Sequence, residues 1–296
     1  MSTMFQAPES PYLVPFERGF RVARAPTAPP PGTPGEKELE DRLEERVEDL
    51  EELQRKLYAD DRWAVLLIFQ AMDAAGKDGT IRAVLSGVNP AGFQVYSFKQ
   101  PSAEELDHDF LWRTAVRLPE RGRIGVFNRS YYEEVLVVRV HPQFLDGQRL
   151  PLHPPAGALD ELWRSRYESI RDHELHLARS GTAVLKFWLN VSREEQRRRF
   201  LARIDNPKKN WKFSAADVRE AERWVDYMAA YQDALAATSR PWAPWYAIPA
   251  DDKPFMRLQV AEILLAALGS LDLRYPRADE DQRREMGAIR ELLEAD

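Results

Sequence analysis

Residues 63–80 read Trp-Ala-Val-Leu-Leu-Ile-Phe-Gln-Ala-Met-Asp-Ala-Ala-Gly-Lys-Asp-Gly-Thr. An apolar run ends in a short loop holding Asp73, Gly76, Lys77 and Gly79, and a helical pattern follows. Strand, loop and helix N-terminus in that order form a phosphate cradle, because free N–H groups and the positive end of the helix dipole converge on one spot. The usual loop is G-x-x-x-x-G-K-[ST]. Here Ala71 stands at the first glycine and Asp78 at the hydroxyl residue. The cradle itself survives: Gly76 and Gly79 allow close backbone approach, and the candidate phosphate-binding backbone runs through Ala74, Ala75, Gly76, Asp78, Gly79 and Thr80. Lys77 supplies a cation for the outer phosphates. The hydroxyl that would help hold Mg²⁺ is missing, and a carboxylate, Asp73, is added. A carboxylate beside phosphates is repelled unless a cation lies between them. Asp73 is therefore expected either to hold a metal or to share a proton with the acceptor phosphate.

Four more short apolar runs recur, at 93–98, 124–127, 183–189 and 245–248, and helical patterns separate them. With 64–69 they predict five strands of a parallel sheet covered by helices on both faces. Before them, residues 1–35 are proline-rich and read as an extended arm or a disordered tail. From residue 36, Leu39, Leu43, Val47, Leu50 and Leu57 fall on one face of a charged helix, expected to pack on the core. The organisation expected is an arm over 1–35, a kinase-like domain over 36–278 and a charged helix over 279–296.

The chain has 296 residues, no cysteine and a net charge of -6. Disulfides and thiolate metal sites are excluded, and the composition suits a reducing cytoplasm. The acidic balance argues against a nucleic-acid binder. No apolar run reaches the roughly 18 residues needed to span a bilayer, so no membrane association is expected. The N-terminal residues lack the basic and apolar pattern of a secretory signal.

The third strand runs into Asn128-Arg129-Ser130-Tyr131-Tyr132-Glu133-Glu134. Asn128 occupies the place where such enzymes end a strand with a metal-binding Asp. Metal duty thus shifts to Asp73, and Arg129 adds a cation or pairs with Glu133 or Glu134. After the fourth strand come Arg193, Arg197, Arg198, Arg199 and Arg203, then Lys208, Lys209 and Lys212. Arg199 and Arg203 share a helix face. This cluster, at about 193–215, reads as a lid that neutralises a migrating phosphoryl group, a role in which arginines can contribute about 10³ to 10⁵ in rate. Lys99, Arg113, Arg117, Arg121 and Arg123 would lengthen the cationic track if they share its rim. Lys253 and Arg257 follow the fifth strand, either as further nucleotide or phosphate contacts or within a loop of internal ion pairs. Trp211, Trp224, Trp242 and Trp245 read as core or lid packing and not as base-stacking platforms.

Together these motifs resemble the polyphosphate kinase 2 family: Met-Asp-Ala-Ala-Gly-Lys-Asp-Gly-Thr-Ile-Arg (72–82), Ser-Gly-Val-Asn-Pro (86–90), Phe-Asn-Arg-Ser-Tyr-Tyr-Glu-Glu-Val-Leu (127–136), Trp-Lys-Phe-Ser (211–214) and Ala-Asp-Asp-Lys (250–253). The resemblance covers roughly residues 35–275. It implies a thymidylate kinase-like P-loop fold, three α/β/α layers with a five-stranded parallel sheet and a helical lid. It also implies phosphoryl transfer between inorganic polyphosphate and nucleotides, assisted by Mg²⁺ or Mn²⁺, and a homo-oligomer, dimer or tetramer. By resemblance Asp73 and Lys77 are the functional pair of the loop, Arg129 follows the second acidic position, and Arg199 or Arg203 is the lid arginine. Asn128 departs from members with Asp there and is similar to the subgroup that phosphorylates AMP and ADP to ADP and ATP. In that subgroup Glu133 is similar to a residue near the nucleoside. The rival expectations are an ATP-dependent nucleoside monophosphate kinase and a non-catalytic nucleotide- or polyphosphate-binding regulator.

Overall fold

The computed structural model of the chain describes residues 4–17, 19–151, 159–208 and 210–295, with the backbone only at residue 212. The helices are α1 (Glu36–Asp60), α2 (Lys77–Leu85), α3 (Ala103–Leu106), α4 (Trp112–Ala115), α5 (Val137–Val140), α6 (Leu159–Arg179), α7 (Arg193–Asp205), α8 (Ala215–Glu222), α9 (Trp224–Thr238), α10 (Lys253–Gly269) and α11 (Glu280–Glu294). The strands are β1 (Ala64–Gln70), β2 (Phe93–Ser97), β3 (Ile124–Asn128), β4 (Thr182–Asn190) and β5 (Trp245–Pro249), ordered β2-β3-β1-β4-β5 in one sheet. Every pairing is parallel, with Leu67 level with Val126 on one side and Leu185 on the other. All five expected strands are present.

Burial explains why the strands were legible as runs. Every residue of β1, β4 and β5 is buried, so both faces favour apolar residues and the strands read as runs and not as alternating patterns. On one face α1 packs along α10, which also meets α2; on the other α6 covers β4 and packs on α9. The α1 stripe of Leu39, Leu43, Val47, Leu50 and Leu57 is buried as expected. α11 buries none of its residues.

The proline-rich segment lies along the open edge of β5. Leu13 bridges Tyr246 in antiparallel sense, Val14 N donates to Trp245 O (2.9 Å), and Ala247 N donates to Tyr12 O (2.8 Å). Farther on, Asn190 Nδ2 donates to Ala25 O (3.1 Å) and Pro26 O (3.0 Å). An edge strand left open is a template for unwanted pairing, and this strap covers it.

Candidate active site

Because all five strands are parallel, the loops after them meet at one edge of the sheet, where open α/β sheets bind ligands. The loop after β1 forms the floor of a cleft of about 550 Å³ at this edge. Two backbone conformations shape it: Ala74 has φ 63° and Gly76 φ 110°. A Cβ at Gly76 would also lie 3.2 Å from Met256 Cε, a tight contact with the end of a flexible side chain, so the positive φ is the ground that favours glycine there. α2 then starts at Lys77 and directs its free N–H groups at the cleft.

Lys77 Nζ donates to Ala71 O (2.8 Å), which holds the amine at the root of the loop. Burial lowers its pKa, while the Asp73 carboxylate acts the other way. Asp73 Oδ1 accepts from Arg129 Nη2 at 3.0 Å. Arg129 itself adopts φ 64°, and its N–H donates to Phe69 O (3.0 Å), tying the end of β3 to β1. Its other nitrogen lies 3.9 Å from Glu133 Oε2. Glu133 and Asp73 hold the Arg129 guanidinium firmly charged, against the cost of burial. The Glu133 carboxyl is raised above the ordinary range by burial, with Arg129 opposing.

Two departures from the usual loop turn out to be partners. Asn128 Nδ2 donates to Asp78 Oδ1 at 2.6 Å. An aspartate at 128 would set two carboxylates at that distance. The amide at the end of β3 thus matches the carboxylate at the start of α2.

From the lid side, Arg203, Trp211 and Asp217 line the same cleft, and Lys99 enters from the loop after β2. Arg203 Nη1 is 3.6 Å from Asp217 Oδ2. Asp217 is raised by burial and by the charge of Asp73, which places the two carboxylates within each other's field. Trp211 is 77% exposed and lines the cleft from the lid side, so it is not a core residue.

Several expected contacts are absent from the cleft. Arg199 is buried, and its Nη1 donates to Ala74 O (3.1 Å) and Ala75 O (2.6 Å), its Nη2 to Ala250 O (2.6 Å) and Asp251 O (3.1 Å), and its Nε to Glu195 Oε1 (2.6 Å). All its donor groups are engaged with the protein, so the cleft arginine of the pair is Arg203. Thr80 is fully buried and its hydroxyl donates to Gly76 O (3.1 Å). The Ala75 N–H closes a turn on Met72 O (3.3 Å). Lys208 is exposed on the turn after α7, and Lys253 is exposed at the start of α10; neither lines the cleft. Lys209 lies outside the described residues. Arg121 and Arg123 precede β3 and so sit at the opposite end of the sheet, where Arg121 Nη1 donates to Arg62 O (2.8 Å) and Arg123 Nε to Glu120 Oε2 (3.0 Å). Asp217 and Gln196 were not picked out from the sequence. Gln196 sits three residues before Arg199 and shares its helix face, a spacing that pointed to it.

Two side cavities open beside Arg129 and Glu133. One, of about 190 Å³, lies against Tyr227 and Tyr231 of α9. The other, of about 480 Å³, is walled by Leu106, Val137, Val138 and Phe144.

The sequence model for polyphosphate kinase 2 matches residues 35–275. The chain belongs to the polyphosphate kinase 2 family. An ADP-polyphosphate phosphotransferase of Rhodopseudomonas palustris is 55% identical over 272 residues, 92% of this chain and 93% of that one. An AMP/ADP-polyphosphate phosphotransferase of Meiothermus ruber is 44% identical over 78% of this chain and 81% of its own length. The crystal structure of polyphosphate kinase 2 from Arthrobacter aurescens superimposes with a TM-score of 0.86 at 38% identity and covers 98% of both chains. As a polyphosphate kinase 2 the chain is a nucleotide-binding phosphotransferase.

Proposed function

We propose that this chain transfers phosphoryl groups from inorganic polyphosphate to AMP and ADP, giving ADP and ATP. The observation that carries the reading is the lining of the cleft: Lys77, Lys99, Arg129 and Arg203 line one cleft beside the loop. A chain of phosphates needs such a row of cations, whereas one terminal phosphate needs fewer. Relatives named for AMP and ADP as acceptors support the choice of nucleotide.

In this reading the acceptor's terminal phosphate rests on the loop N–H groups and Lys77. Its nucleoside passes Arg129 and Glu133 into the larger side cavity, whose apolar walls and size suit a small ligand. The polyphosphate end lies against Arg203 and Lys99. An acceptor phosphate oxygen, already ionised, attacks the terminal phosphorus in line. The bridging P–O bond breaks and its oxygen stays on the shortened chain. No general base is needed, and positioning with charge neutralisation carries the step.

Among the described residues no cluster of three metal-ligating side chains exists. Asp73 and Asp217 nevertheless face one cleft, and hard cations that keep water and phosphate oxygens need only one or two carboxylates. The donor set therefore fits Mg²⁺ or Mn²⁺ held by Asp73, with Asp217 near. Such an ion would draw charge off the phosphate oxygens. The test is purified protein with AMP, Mg²⁺ and long-chain polyphosphate, without ATP. ADP and then ATP are expected; activity with ATP and AMP alone, and none with polyphosphate, would indicate the nucleoside monophosphate kinase instead.

A further inference from the structure

Three successive carbonyls of the phosphate loop are held by one helix that does not belong to the loop. Gln196 Nε2 donates to Asp73 O at 2.9 Å. Arg199 Nη1 takes Ala74 O and Ala75 O at 3.1 and 2.6 Å. Both residues lie on α7 and are almost wholly buried, at 2% and 6% exposure. In a planar trans peptide the C=O and the following N–H point in opposite directions. Carbonyls drawn toward α7 therefore turn the N–H groups of Ala74 and Gly76 away from it, while that of Ala75 is spent on its turn. Asp73 to Gly76 all line the cleft, so those N–H groups face the space a phosphate would fill.

This hold also accounts for the strained backbone. Ala74 is not glycine, yet it sits at φ 63°. A left-handed conformation at alanine costs on the order of 1 kcal/mol and persists only when neighbouring contacts enforce it. The Arg199 guanidinium, anchored on Glu195 and on the loop after β5, is that enforcement. The same helix presents Arg203, one turn beyond Arg199, to the cleft.

We infer that α7 is a bracket that sets the anion nest and the Arg203 cation in one rigid frame, with Gln196 and Arg199 as positioning residues that never touch phosphate. The inference rests on the proposed reading of the cleft as the phosphoryl-transfer site. Any movement of the lid that shifts α7 then deforms the loop as well. Binding at the nest and placement of the lid arginine are two consequences of one helix position.

The experiment compares Gln196→Leu, Arg199→Lys and Arg203→Ala in the full chain. Three readings are taken: hydrogen exchange of peptides covering 71–80, the affinity for tripolyphosphate by calorimetry, and kcat with KM for polyphosphate. Gln196→Leu removes one neutral hydrogen bond, so about a tenfold loss of tripolyphosphate affinity is expected. Arg199→Lys loses the forked contact that an ammonium cannot copy, and about a hundredfold loss is expected. Both should speed exchange in 71–80. Arg203→Ala should lower kcat and leave loop exchange as in the wild type. The inference is overturned if Gln196→Leu and Arg199→Lys keep wild-type exchange and affinity, or if Arg199→Lys loses turnover with loop exchange unchanged. Exchange and binding need no turnover, so they decide the point even if the wild-type chain makes no ADP.

Discussion

Replacing Asp73 with Asn should move binding and turnover in opposite directions. In the structure the Asp73 carboxylate faces the cleft, 3.0 Å from Arg129, with its side chain 26% exposed. It stands among the cations proposed to receive phosphate, so without metal it would be a repulsive charge. At a separation of about 5 Å, one unit of repulsion is worth ~0.8 kcal/mol in a water-like medium and ~3 kcal/mol at an effective dielectric of 20. Partial exposure places this site between those limits. Loss of the charge also frees Arg129 from its partner and strengthens the attraction for phosphate. With a chelator present, Asp73→Asn should thus bind tripolyphosphate about 5- to 100-fold more tightly than the wild type. With Mg²⁺ present the sign reverses for the reaction, because the variant has lost the group that would hold the ion or accept a proton. A fall in kcat on the order of 10² or more is expected, the usual scale for removing one electrostatic partner of a transition state. Calorimetry with and without chelator, beside steady-state assays, measures both arms. A variant that binds no tighter without metal, or that keeps kcat within a few-fold of the wild type, refutes the placement of Asp73 between cation and phosphate.

Asn128→Asp should set two carboxylates at the 2.6 Å now spanned by the Asn128–Asp78 hydrogen bond, and the pair should share a proton with a raised apparent pKa. A raised folded pKa gives stability that is present at low pH and lost as pH rises, so its melting temperature should fall relative to the wild type between about pH 5 and 8. Adding Asp78→Asn should restore it, and a pH-independent difference would sink the argument. In the core, Lys186 Nζ donates to Glu174 Oε2 (2.6 Å), Tyr132 OH (3.0 Å) and Thr238 O (2.9 Å), and burial brings its pKa down to about 8. Lys186→Met should cost about 3–5 kcal/mol by leaving Glu174 buried and unpaired. Glu174 is already raised by burial with Lys186 opposing, so without Lys186 it rises further. The deficit should therefore grow as pH climbs from about 5, and equal deficits in melts at pH 5 and pH 8 would show that Glu174 does not titrate there.

What the sequence shows and hides follows from the direction in which side chains point. β1, β4 and β5 were legible because burial on both faces favours apolar runs, and the loop was legible because glycine, lysine and a helix start stand in fixed order. Lys186 was hidden for the opposite reason. It interrupts a nine-residue buried strand, and only the tertiary positions of Glu174, Tyr132 and Thr238 make it tolerable there. The arginines divide along the same line. Arg121 and Arg123 were placeable in principle, since residues that precede a parallel strand sit at its far end. Arg199 and Arg203 share a helix face, and their sequence context does not separate them. Their difference arises because Arg199 meets four carbonyls of two loops, whereas Arg203 extends one turn past the last of them to Asp217. Counting cations in a lid therefore overstates the charge available to a substrate. Part of that charge is engaged with the carbonyls of the loop, and in the inferred bracket its contribution to the reaction would come through the geometry of the N–H groups it sets.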